Sequence, residues 1–171
     1  MLKVVTLISL FLLSSSTFAQ TTEECPCCKD EYKEFDFWLG EWEVFDVEGK
    51  KVGNSQISKS ERNCILFEKW TSVGDHTGSS INFFDQKNYE WNQVWVDNNG
   101  LILKLKGGLI ANGIIQMSSE LLQNDQGLNF KNSIRWTLQE DGTVKQQWDM
   151  TDENLESFKT LFIGIYKAKK P

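Results

Sequence analysis

Phe35-Asp36-Phe37-Trp38-Leu39-Gly40-Glu41-Trp42-Glu43-Val44 is the stretch on which the fold turns. In an extended chain successive side chains point to opposite faces. Phe37, Leu39, Glu41 and Glu43 then share one face, and Trp38, Gly40, Trp42 and Val44 share the other. A face with two indoles and a glycine packs closely against something, the glycine admitting a backbone or ring where a Cβ would collide. The stretch marks where the folded domain begins and carries no catalytic motif.

Downstream of it the chain is a series of short extended runs: Trp38–Asp46, Val52–Arg62, Cys64–Val73, Thr77–Phe84, Trp91–Val96, Leu101–Lys106, Ile114–Leu122, Leu128–Leu138, Thr143–Met150 and Ser157–Tyr166. Between them lie turn signals such as Glu48-Gly49, Asn99-Gly100, Asn112-Gly113, Gln126-Gly127 and Asp141-Gly142. Asn-Gly and Asp-Gly tolerate the positive φ of tight hairpins. The break at Asn63 is the weakest and is compatible with a bend in one long strand. Gly107-Gly108 reads as a bulge, and Phe158 to Tyr166, apolar on both faces, as a strand covered on both sides. Seven Trp, eleven Phe and only two Pro suit an all-β chain. No run has a helical period, and hairpin-length connections make sequential strands antiparallel neighbours. The expected fold is an antiparallel up-and-down β-barrel of about ten strands, closed so that no edge is left free and wide enough to enclose a cavity.

Upstream, Met1 to Ala19 has one lysine, Lys3, an apolar run from Val4 to Leu13, and Thr17-Phe18-Ala19 before Gln20. This is the layout of a secretory signal peptide cut before Gln20. The run is shorter than the ~20 residues a membrane span requires, so no stable membrane insertion is expected. Residues 20–34 form a Cys-rich lead-in, and 35–171 the barrel domain. Cys25, Cys27, Cys28 and Cys64 are even in number, which in an exported chain favours two disulfides. Three pairings are possible. The one that joins adjacent Cys27 and Cys28 is disfavoured by geometry, so one bridge is expected to tie the cluster to Cys64. The net charge of −6, or −7 once Lys3 is removed, speaks against nucleic acid as a partner.

Gly40-Glu41-Trp42 resembles the Gly-x-Trp signature of the calycin group, which comprises lipocalins, fatty-acid-binding proteins and nitrobindins. More closely, the chain resembles an uncharacterised family of small exported bacterial proteins with a lipocalin-like domain of unknown function. The similarity runs through residues 35–44, Glu68-Lys69-Trp70, Thr77-Gly78-Ser79, residues 91–97, Ile134-Arg135-Trp136-Thr137 and residues 141–148. The resemblance implies that Gly40 and Trp42 close one end of the barrel, the Trp lying near a late-strand arginine, here Arg135. Nitrobindins hold haem through a late-strand His. The single His here, His76, lies in an early turn and is taken as an exposed loop residue. No haem, other cofactor or metal is therefore expected.

No nucleophile elbow, phosphate loop or His-pair metal motif is present. The candidate site residues are polar groups sharing faces with large aromatics: Glu68 beside Trp70, Gln93 beside Trp95, and Arg135 beside Trp136. Facing inward, they would make an aromatic cavity with a few polar anchors. The structural alternative is a fixed Glu68–Arg135 pair that closes one end. Which of Gln146 and Gln147 faces inward is open. The leading expectation is an exported, non-enzymatic periplasmic or extracellular protein that binds a small apolar or amphipathic ligand. A filled barrel serving as a structural or protein-interaction module is the alternative. An isomerase or hydrolase using Glu68 or Asp97 as base stands behind both. N-terminal sequencing of protein recovered from an exporting host is expected to begin at Gln20; a chain that keeps Met1 would overturn the signal-peptide assignment.

Overall fold

Pairing in the computed structural model, which describes residues 25–152 and 156–170, runs around a complete ring. The assigned signal peptide lies outside the described residues. The strands are β1 (Gly40–Phe45), β2 (Lys51–Ser60), β3 (Ile65–Ser72), β4 (Thr77–Asp85), β5 (Glu90–Asp97), β6 (Ile102–Ala111), β7 (Ile114–Ser118), β8 (Leu122–Gln123), β9 (Asn129–Leu138), β10 (Val144–Thr151) and β11 (Ser157–Ala168). Each pairs antiparallel with the next from β1 to β7, β7 continues to β9, and β9 to β10 to β11. β11 then returns to β1 with Trp42 opposite Ala168 and Val44 opposite Tyr166. Ten strands close the barrel, and the two-residue β8 extends β9 outside the ring.

The structure resolves the weakest break of the strand reading and changes two other features. Residues 61–63 are a tight turn with φ of 48°, 55° and 71°, so the chain reverses there and β2 and β3 are separate strands. Gly107 pairs in register with Met117, and the irregularity in β6 lies further on, between Leu109 and Ala111. β11 is not covered on both sides: Leu161 is 40% exposed, while Ile163 and Ile165 on the outer face are half-buried.

The opening stretch also folds differently from a continuous strand. Asp36–Trp38 is a 3₁₀ turn, and extended structure begins at Gly40. Trp38 therefore reaches the core from a turn and not from the face of β1. Gly40 has φ +136°, and a Cβ there would lie 3.6 Å from the Trp42 ring, an ordinary contact. The backbone conformation, and not a close approach, is what requires glycine at that position.

Phe35 and Trp38, both fully buried, plug one end of the barrel. Phe35 stacks on Trp38 at 5.0 Å and meets Trp136 at 5.1 Å and Trp91 at 5.6 Å edge-on. Trp38 contacts Trp136 and Tyr166. Trp42 supports the plug by donating its indole N–H to the Trp38 carbonyl at 2.9 Å. The end-closing role expected of Trp42 is thus carried mainly by residues before the strand. The Cys27–Cys64 disulfide holds this lead-in to the turn between β2 and β3, and Cys25–Cys28 closes a short loop within the lead-in itself.

Arg135 is not part of the closure. It points outward from β9 and donates from Nε and Nη2 to Gln116 Oε1 at 2.9 and 2.6 Å. The reason is strand phase: Ile134 and Trp136 face the core, which turns Arg135 to solvent. Accordingly, Phe35→Ala is expected to lower unfolding free energy by about 3–5 kcal/mol in urea titration, whereas Arg135→Ala changes it by less than about 0.5 kcal/mol. The reverse order would refute this assignment of the plug.

Candidate functional site

Alternation along the strands sends one row of polar side chains into the barrel. Ser55 on β2, Glu68 on β3, Ser80 and Asn82 on β4 and Gln93 on β5 are all buried. Ser55 and Ser80 donate their hydroxyls to the two Glu68 oxygens at 3.0 and 2.9 Å. Asn82 Nδ2 donates to Ser80 Oγ at 3.0 Å, and Gln93 Nε2 to Asn82 Oδ1 at 2.8 Å. The row is continuous because Glu68 lies opposite Ser80, and Asn82 opposite Gln93, in the register of β3–β4–β5.

Beside Glu68 the barrel opens into a cavity of about 260 Å³. Trp70, Trp95, Trp148, Phe162 and Leu161 form most of its wall, with Glu68, Gln146, Tyr166 and His76 as its polar groups. The plug lies at the end where β2 turns into β3, so the mouth lies at the other end, where the 73–76 turn joins β3 to β4. His76 and Leu161, each about two-fifths exposed, mark that outer end. Glu68, Gln146 and Tyr166 lie deeper along their strands. Small residues make room for the indoles. A Cβ on Gly53 would lie 2.6 Å from the Trp70 ring, and one on Gly78 would lie 2.2 Å from the Trp95 ring. Glycine at these two positions allows each indole to lie against a neighbouring strand.

Burial shapes the titration of the inner groups. Loss of solvation pushes the Glu68 carboxyl up to about 7, against the pull of the Ser80 and Ser55 hydroxyls. Tyr166 is pushed well above its ordinary range by burial and by the nearby Glu68. It stays protonated and donates to Gln146 Oε1. At the mouth, His76 Nε2 lies 2.9 Å from Asp97 Oδ2. The His76 contact, helped by backbone N–H groups of Leu101 and Asn99, holds the Asp97 carboxyl below its usual range.

Among the sequence candidates, Glu68, Trp70 and Trp95 meet in the cavity. Gln93 is interior but is occupied in orienting Asn82. Arg135 lies outside, and Glu68 has no partner in it. His76 does lie in a loop and is partly exposed, but it also lines the cavity and pairs with Asp97. The cavity also recruits Trp148, Phe162 and Tyr166, which sequence reasoning did not name as site residues, and Gln146, whose orientation it left open. Gln146 is the inward member of its pair. Its two-residue spacing from Val144 and Trp148 was the available signal; only the phase of β10 was lacking.

Among the described residues, no cluster of three or more His, Cys, Asp or Glu could hold a metal ion. No helix among them is long and apolar enough to cross a membrane. No family model and no curated protein matches this chain.

The Glu68 carboxyl gives a pH signature. In the folded protein it keeps its proton up to about pH 7, whereas in the unfolded chain it releases it near 4.5. Its contribution to stability is therefore complete below pH 4.5 and is lost as pH rises through 7, an effect of about 3 kcal/mol. Unfolding measured across this range should show that decline in the wild type and not in Glu68→Gln. Parallel curves would refute the assignment.

Proposed function

We propose that the protein is an exported carrier that holds a small apolar or amphipathic molecule in its barrel. The observation that carries this reading is the cavity of about 260 Å³, walled mainly by aromatic and aliphatic side chains with few polar anchors. That is the usual make-up of a small-molecule site. Two disulfides within the described residues are in keeping with an oxidising compartment, periplasmic or extracellular. Membership of the exported lipocalin-like family is part of the same proposal, supported by the closed antiparallel barrel.

A second reading, a cavity-based isomerase or hydrolase, draws on the buried Glu68 and the His76–Asp97 pair lining or flanking one cavity. A carboxyl titrating near neutrality is suited to proton transfer. The carrier ranks first because the remaining polar groups of the cavity, Tyr166 and Gln146, are bonded to each other and leave Glu68 no partner for proton transfer beyond its two serines.

Gentle purification of the exported protein followed by native mass spectrometry is the direct test. A small-molecule adduct released by denaturation is expected. Filling the cavity with Gly78→Phe, or displacing Trp95 by Gly78→Leu, should abolish that adduct. A wild type that never carries or takes up a small apolar compound would overturn the carrier reading.

A further inference from the structure

Among the described residues, Glu68 is the only carboxylate lining the cavity, and no lysine or arginine among them lines it. Its two hydrogen bonds come from neutral hydroxyls. Behind Ser80 the donors of Asn82 and Gln93 point the same way, toward the carboxylate. Such a chain stabilises negative charge by polarisation without neutralising it. A buried carboxylate normally has a cation beside it. Here the described residues supply none, and the open side of Glu68 is the cavity.

The other groups facing the cavity do not alter this balance. Tyr166 is protonated and donates to Gln146. His76 at the mouth is accompanied by Asp97 at 2.9 Å, so the pair adds no net positive charge. The walls are the rings of Trp70, Trp95, Trp148, Phe162 and Tyr166, and aromatic faces attract cations. An anionic amphiphile would place like charges together in a poorly solvated site. A neutral apolar molecule offers the ionised Glu68 no counter-charge and leaves its carboxyl holding its proton up to about pH 7. The overall charge of −6 adds a field that favours cations at the mouth.

We infer that the cavity takes a small organic cation, an alkyl- or arylammonium, with its charged head against Glu68 and its apolar body between the indoles of Trp70, Trp95 and Trp148. This inference rests on the carrier reading and narrows it to one class of ligand.

Two probes of the same shape separate charge from fit: phenyltrimethylammonium and uncharged tert-butylbenzene. Tryptophan fluorescence reports binding, since indoles line the site. The mature protein is expected to bind the ammonium at least about tenfold more tightly. In Glu68→Gln that preference should vanish while tert-butylbenzene binding is retained. A second arm needs no variant. The ammonium has no titrating group, so its affinity for wild type should fall about tenfold or more between about pH 8 and about pH 5, as Glu68 takes up its proton, with tert-butylbenzene unaffected. Equal binding of both probes at every pH, or tighter binding of tert-butylbenzene, would overturn the cation inference and leave the carrier reading intact. If neither probe binds and no small molecule co-purifies, both fall together.

Discussion

The pairing of β11 with β1 is the constraint on which the rest of the molecule depends. Four residue pairs, from Trp42–Ala168 to Phe45–Ile165, join the two ends of the sheet. Without them the sheet would expose two unpaired edges and its inner face would have no enclosed interior. The seam is also where the plug is anchored. Trp38 lies two residues before the start of β1 and packs on Tyr166 of β11, and Trp42 of β1 holds the Trp38 carbonyl. Closure of the ring and filling of one end are therefore achieved by the same few side chains.

That arrangement divides the interior. At the plugged end Phe35, Trp38, Trp91 and Trp136 fill the space with rings in direct contact. A ten-strand ring is too wide for ordinary side chains to fill along its whole length. At the other end the wall is lined by indoles laid against Gly53 and Gly78, and a cavity remains. The buried polar row from Ser55 to Gln93 lies between the packed half and the hollow half. It places in the interior one carboxyl, Glu68, which burial pushes up to about 7.

Legibility differed from residue to residue for physical reasons. Inward Trp70, Trp95, Trp136, Trp148, Glu68 and Gln93 follow from period-two alternation once any one residue on a strand is known to be buried. Arg135 was misplaced because adjacency to Trp136 in sequence was read as proximity in space, whereas adjacent strand residues point to opposite faces. Trp38 was assigned to a strand because its spacing from Trp42 fits both a strand and a turn leading into one. The part His76 plays beside the exposed-loop reading was missed because nothing local ties it to Asp97. That contact arises only when the turn after β3 meets the end of β5.

The sequence by itself determined the all-β class, the up-and-down order, the number of strands in the ring and the attachment of the Cys cluster to Cys64. These depend on local properties: alternation, turn chemistry and the reach of a disulfide. Only the tertiary structure decided which end is plugged, that Cys27 is the residue bonded to Cys64, and that Glu68 faces a cavity to which the described residues bring no lysine or arginine. Those facts depend on the phase and register of strands far apart in the chain, and no local pattern encodes which side chains meet once the ring has closed.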